Sequence, residues 1–341
     1  MTKYRLLLST ALVVVLSGCM GGSAKLGLSS NNSGEPSWYL NSKKSDNQYY
    51  YGVGEGSTKA EAKTEALRQI ASEISVGISS SMEVNKNTSN GSYSKSVKQN
   101  TKATVKQIEF TNVEIIENVQ QNNKIYTSLK VSKSRLFQAQ KTILDKKFTT
   151  LNSIWSTIVD GGTFVLLKKD TTLNKSLKDV ASALSILKAI DGNFDDKKYQ
   201  AKLDSIYSEK IQMISRTGVL VLGDSSTQVY KDLVKEYISN LGLNIIKSKN
   251  KVAANDLFIV NISMTARNKK VKTSNPRLRG ASFADVKITL TTSNSQNKVI
   301  GKSIINVLNI SKEGYAHAVT KTQKFEKKIK QEGIVNILFK K

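Results

Sequence analysis

The sequence predicts an α+β protein: two small sheet-plus-helix domains joined by a helical connector, behind an N-terminal targeting segment. Three observations carry this. Strand-like alternation and short apolar runs interleave with helical periodicity over residues 36–150, and again over 217–341. The stretch between them, 151–216, shows helical spacing alone. A chain of 341 residues, 39% of them hydrophobic, has room for about two cores of ~150 residues each.

Lys3 and Arg5 precede an eleven-residue run, Leu6 to Leu16, that is apolar except for Ser9 and Thr10, and Leu16-Ser17-Gly18-Cys19 follows. A basic start, an apolar run shorter than the ~20 residues of a membrane span, and small residues before a thiol make residues 1–18 a cleaved signal peptide. The order Leu-Ser-Gly-Cys resembles the bacterial lipobox. That resemblance implies cleavage before Cys19, a diacylglycerol thioether on its sulfur and an acyl chain on its new amine. Met20, where retention at the inner membrane favours Asp, implies by similar sorting rules the outer membrane, with the chain facing the periplasm. More than one acyl chain anchors a protein stably without a transmembrane helix. Residues 19–35 are then a lipidated tether of small polar residues, and with one cysteine in the chain no intramolecular disulfide can form.

In the first domain, Tyr49 to Gly56 reads as strand and turn. Thr58 and Glu61 form a capping-box pattern, and Ala62, Ala66, Leu67, Ile70, Ala71 and Ile74 fall at helical spacing. Val76, Ile78, Ser80, Met82 and Val84 alternate as a strand does. Val105 to Val119 and Ile125 to Val131 give two more strands, and helical spacing returns from Ser132 through Leu136, Phe137, Ile143, Leu144 and Phe148. The expected order is β-α-β-β-β-α. The polar stretch Asn85 to Thr104 admits two readings, a contact arm for a neighbouring subunit or a solvated hairpin tip. Gly52-Val53-Gly54-Glu55-Gly56 stands where a dinucleotide fingerprint would, but it is GxGxG, with a carboxylate where pyrophosphate would sit. Glycines permitting a tight turn and close packing on the helix are the better account.

These residues carry a resemblance. Pro36-Ser37-Trp38, Tyr50 to Ser57, Glu61-Ala62, Ala66-Leu67 and Ile70-Ala71, followed by Ile74, Val76 and Ile78, resemble the Lpp-twenty lipoprotein family over about residues 36–150. The resemblance implies a surface or outer-membrane lipoprotein, or a component of a disk or ring around the flagellar motor, with no enzymatic activity. The chain departs from simple members by continuing for about 190 residues.

Within the connector, Leu173 to Ile190 and Asp196 to Ile214 are helical candidates, punctuated by Gly161-Gly162 and Gly192-Asn193. From Thr217 the pattern changes. Gly218 to Gly223 is a buried strand, Ser226 to Leu241 a helix closed by Gly242, and Leu243 to Ile246 a short strand. A strand to about Ala266, then Ser282 to Thr292 and Lys298 to Ile310, precede a helix from Gly314 to Lys330. The order β-α-β-β-β-β-α, with Asn255-Asp256-Leu257-Phe258 entering a strand, is similar to the TolB N-terminal domain and the middle domain of the flagellar H-ring protein.

Lys and Arg number 52 against 27 Asp and Glu, a formal net charge of +25. Residues 20–150 carry +7, 151–216 carry +2 and 217–341 carry +14, so the positive field belongs mainly to the last domain. Arg267, Lys269, Lys270, Lys272, Arg277 and Arg279 fall within thirteen residues that hold no acid. Two readings stand: a loop that contacts lipid phosphates, cell-wall carboxylates, lipopolysaccharide anions or an acidic envelope protein, or a solvated lysine-rich surface. Nucleic acid is not an expected partner, since no reading motif appears and aromatics are 7%.

One histidine excludes a multi-histidine metal cluster. His317 has no serine, cysteine or carboxylate at a spacing that suggests catalysis, so it reads as a packing or surface residue. Asp195-Asp196 lacks the spaced oxygens of a calcium loop and suits a helix N-cap. The expectation is therefore no catalytic residue, no metal and no cofactor beyond the lipid on Cys19. A non-enzymatic outer-membrane lipoprotein scaffolding an envelope assembly, through envelope partners or copies of itself, is the leading reading. An anion- or ligand-binding lipoprotein is the alternative.

Overall fold

In the computed structural model, which describes residues 34–85, 108–249, 256–270 and 275–340, the α+β class holds, with two sheets and helices on each. After a single turn, α1 (Ser37–Leu40), strand β1 (Tyr49–Gly56) leads into helix α2 (Lys59–Asn85), and β2 (Val113–Gln121) and β3 (Lys124–Ser132) form a hairpin. The first sheet is antiparallel in the order β1-β3-β2. Thr58 and Glu61 cap α2: Glu61 N–H donates to Thr58 Oγ1 at 3.2 Å, and Ser57 N–H donates to the Glu61 carboxylate at 2.8 Å.

The strand expected over Val76–Val84 is helix. Val76 and Ile78 alternate locally, but Ile70, Ile74 and Ile78 recur every fourth residue and all three are buried, so the helical stripe runs on while Val76 stays 65% exposed. The described order is accordingly β-α-β-β-α rather than the expected β-α-β-β-β-α. The polar stretch proposed as an arm lies, from residue 86 to 104, outside the described residues.

Helix α3 (Lys133–Ile190) passes through the connector, and α4 (Lys197–Arg216) follows. Gly162, at φ +67° and ψ −165°, breaks α3 with a conformation that only glycine adopts easily. Leu136 in the first arm and Ile186 in the second both join the core of the first sheet. Residues beside the break, Phe164 and Leu167, instead meet the second sheet's core. The two arms therefore fold back on each other, and α4 completes a three-helix bundle about 40 Å long at 1.5 Å per residue. Leu151, Trp155, Ile158, Leu173, Leu177, Leu184 and Leu203 fill it. The sequence shows both helices of the connector but not that they belong to one bundle with residues 133–161.

The second sheet is mixed, in the order β5-β4-β6-β7-β8: β4 (Gly218–Leu222), β5 (Asn244–Ile245), β6 (Leu257–Asn268), β7 (Ser282–Asn294) and β8 (Val299–Ser311). Strand β4 runs parallel to both neighbours, and the rest pair antiparallel. One face carries α5 (Gln228–Asn240), through Tyr230, Val234 and Ile238, and three short C-terminal helices. These replace the single helix expected from Gly314 to Lys330: α6 (Tyr315–Thr320), α7 (Gln323–Glu332) and α8 (Ile334–Leu338). The backbone turns extended at Lys321, whose carbonyl accepts from Asn309 at 2.8 Å, and Gly333 at φ +80° makes the second break. Burial pushes the Tyr230 phenol up to about 12, so it stays a donor, 2.8 Å from the Val319 carbonyl.

Candidate functional site

Cys19, the expected lipidation site, lies outside the described residues. Among the described residues, no helix is long and apolar enough to cross a membrane.

The glycines of Gly52-Val53-Gly54-Glu55-Gly56 lie within β1 rather than in a loop. A Cβ on Gly52 would overlap the Ala66 carbonyl, and one on Gly54 would overlap Ala62 and Ala66 backbone atoms. Close strand-on-helix packing accounts for them, and the phosphate-cradle reading has no loop in which to act.

The basic stretch forms one end of the β6–β7 hairpin. Arg267 is exposed on β6, opposite Asp285 of β7. Lys269 and Lys270 are exposed just beyond, and the Lys269 N–H donates to the Phe283 carbonyl at 2.9 Å, which fixes the base of the loop. Lys272 lies outside the described residues. Arg277 sits in a short 3-10 turn, Pro276–Leu278, held by Asn275, whose Oδ1 accepts from the Arg277 N–H at 3.0 Å. Arg279 is exposed beside Gly280, which adopts φ +76°. The structure thus brings Arg267, Lys269, Lys270, Arg277 and Arg279 to one end of one hairpin. Among the described residues, none of them makes an ion pair.

His317 does have chemical neighbours, contrary to the sequence expectation. Ser311 Oγ lies 2.8 Å and Glu313 Oε2 3.3 Å from the same nitrogen, Nδ1. The end of β8 and the turn after it fold back onto the first turn of α6, a juxtaposition that spacing alone does not reveal. A hydrolytic relay needs the hydroxyl on one ring nitrogen and the acid on the other. Here both share one nitrogen, and the buried Ser311 hydroxyl also accepts the Glu313 N–H at 3.1 Å. The group locks a turn.

Asp195 and Asp196 act at the start of α4. Asp195 Oδ1 accepts the Lys197 N–H at 3.1 Å, and Asp196 pairs with Lys188 at 3.2 Å, joining α4 to the end of α3. Among the described residues, no group of three or more His, Cys, Asp or Glu side chains could hold a metal ion. Sequence spacing also misses the contact across the bundle by which Asp145, already paired with Lys141 four residues earlier at 2.6 Å, accepts from Tyr199 at 2.7 Å. Burial opposes its ionisation, but those two hydrogen bonds and the nearby lysines prevail and hold its carboxyl below the usual carboxylate range. A cleft of about 680 Å³ opens where the α3 break meets the second sheet, lined by Asp160, Glu209, Arg216 and Asp256 among others. Its charges are of both signs.

With this geometry in place, comparison with known proteins adds the following. The LPP20 lipoprotein family matches residues 36–170. The matched segment includes both strand-helix layers of the first sheet and the whole first arm of α3, some twenty residues beyond the expected end near 150. It supports an envelope lipoprotein. No curated protein matches the chain. Among solved structures, the secreted protein HP1454 from the human pathogen Helicobacter pylori aligns with TM-score 0.46 and 15% identity, over 86% of this chain and 97% of its own. A minor lipoprotein from Acinetobacter baumannii aligns with TM-score 0.27 and 11% identity, over 36% of this chain and 94% of its own. An uncharacterized lipoprotein B from Nitrosomonas europaea gives TM-score 0.22 and 14% identity, over 34% and 73%. At these scores the likenesses carry no functional argument.

Proposed function

We propose that this protein is a non-enzymatic lipoprotein, anchored to the outer membrane through acyl chains on Cys19 and facing the periplasm, that serves as a structural or assembly component of the cell envelope, of the kind that builds a ring or disk around a flagellar motor. The observation that carries the reading is the bundle. Its arms share a core with the first sheet at one end, through Leu136 and Ile186, and with the second sheet at the other, through Leu167. A strut packed into both modules holds two surfaces at a fixed separation, which is what an assembly component needs and what a free binding module does not. The LPP20 lipoprotein match over 36–170 supports the envelope setting.

Two measurements test it. A palmitate analogue fed to cells should label the protein, and Cys19→Ala should abolish the label; label that persists would overturn the anchor. Soluble protein lacking residues 1–19 should form a discrete high-order oligomer, and a monomer at every concentration would count against assembly.

A second reading is favoured by one observation. Arg267, Arg277 and Arg279 are exposed at one hairpin end with no ion pair among the described residues, which suits capture of cell-wall or lipopolysaccharide anions. Binding of this kind weakens as salt is added and when Arg277 and Arg279 are neutralised. Salt-insensitive binding would remove it.

A further inference from the structure

Helices pack one face of the second sheet, and at its β4–β6 end Leu220, Leu257 and Ile259 are buried with Ile246 on the opposite side. Its other face, among the described residues, carries no helix, and the antiparallel register lays its side chains out in rungs across β6, β7 and β8. Asn261, Thr291 and Lys302 form the first rung, and Ser263, Thr289 and Ile304 the second. Thr265, Lys287 and Asn306 form the third, and Arg267 stands opposite Asp285 in the fourth. Successive rungs lie about 7 Å apart along the strands, and neighbouring strands about 4.8 Å apart.

Lys302 on β8, Lys287 on β7 and Arg267 on β6 therefore fall on one diagonal of the face. All three are exposed, and the line continues into Lys269, Lys270, Arg277 and Arg279 at the hairpin end. Asp285 is the one acid in these rungs. Between the cations stand short hydroxyl and amide side chains, which can donate to and accept from sugar hydroxyls, while β8 adds the exposed Ile304 and, opposite Asp285, Leu308.

From this we infer that the open face of the second sheet is a binding surface for a linear anionic polysaccharide, laid along the diagonal with its acid groups on Lys302, Lys287 and Arg267 and its hydroxyls on the Thr, Ser and Asn rows. The inference rests on the anion-capture reading above and extends it from a loop to a track. Charge complementarity decides the sign of the ligand, and the line of cations decides that it is extended. No exposed aromatic ring stands on these rungs. The face therefore lacks both the stacking platform of a single-strand nucleic-acid binder and the Trp or Tyr anchors of an interfacial lipid contact.

The test uses detergent-purified full-length protein on a biosensor, with polygalacturonate as probe, neutral dextran as control and mixed micelles carrying phosphatidylglycerol as the lipid arm. Polygalacturonate binds, dextran does not, and K287Q/K302Q weakens binding by about tenfold, while K287R/K302R retains it. Wild-type binding by K287Q/K302Q together with loss in R277Q/R279Q would overturn the track and leave the loop reading standing. If neither pair of substitutions matters, both fall, and polygalacturonate that does not bind overturns the track. Binding to the micelles alone, with the same dependence on Lys287 and Lys302, would overturn the polysaccharide assignment and make the face a lipid contact.

Discussion

Strand β1 presents Gly52 and Gly54 to helix α2, and the helix answers with Ala62 and Ala66, so that backbone meets backbone. The second sheet instead presents Val260, Val286, Ile288 and Leu290 to its helices, which answer with Tyr230, Phe325 and Ile329. Side chains set the spacing there. The first interface derives its fit from the absence of side chains and has no room to accept any. The second derives its stability from side-chain volume and loses it when volume is removed.

Gly54→Val should break this contrast most severely. Its branched side chain meets the backbone of Ala62 and Ala66, which cannot rotate away, so the cost exceeds about 3 kcal/mol. Urea unfolding followed by circular dichroism should show the first module melting early. Stability within error of wild type would mean that β1 and α2 are not in close contact. In the second sheet the matching change is a truncation. Ile288 is fully buried, and Ile288→Ala should cost about 3 kcal/mol through the cavity it leaves.

The comparison sharpens in the bundle that joins the two sheets. Gly162 has open space where a Cβ would stand, so Gly162→Ala meets no clash and should cost about 2 kcal/mol through φ alone. A cost as large as that of Gly54→Val would mean that crowding, not backbone conformation, selects this glycine. The smallest effect is expected at Asp145. Its folded carboxyl ionises below the usual carboxylate range, so its contribution is complete above that range and is lost as pH falls through the lower folded value. Asp145→Asn should lower the melting temperature slightly at pH ~7 and flatten its decline below about pH 4. An unchanged acid limb would show that the Lys141 and Tyr199 bonds to Asp145 contribute nothing to stability.

Much of this architecture is legible from neighbours two, three or four residues apart. The stripe Ala62, Ala66, Ile70, Ile74 marks α2, and the run Gly218 to Leu222 marks a buried strand. The same logic misleads at Val76–Val84, where a short alternation competes with a longer helical stripe and the stripe prevails because its members reach the core. Of the candidate sites, the lipobox at Cys19 and the arginines of the β6–β7 loop are local features of the sequence. Of the neighbours of His317, Glu313 stands four residues before it, but Ser311 reaches it only through the turn after β8.

By itself the sequence determined the class of most segments, the anchor motif and the domain that carries the charge, because these depend on composition and short-range period. Tertiary structure alone decided three other things. It turned α3 back on itself at Gly162, it placed all the helices of the second module on one face of the sheet, and it aligned Lys302, Lys287 and Arg267 across three strands. Strand pairing joins residues tens of positions apart, and a slip of one residue would turn each of those cations to the opposite face. No local pattern encodes that choice; the burial of Ala284, Val286, Ile288 and Leu290 on the covered face makes it.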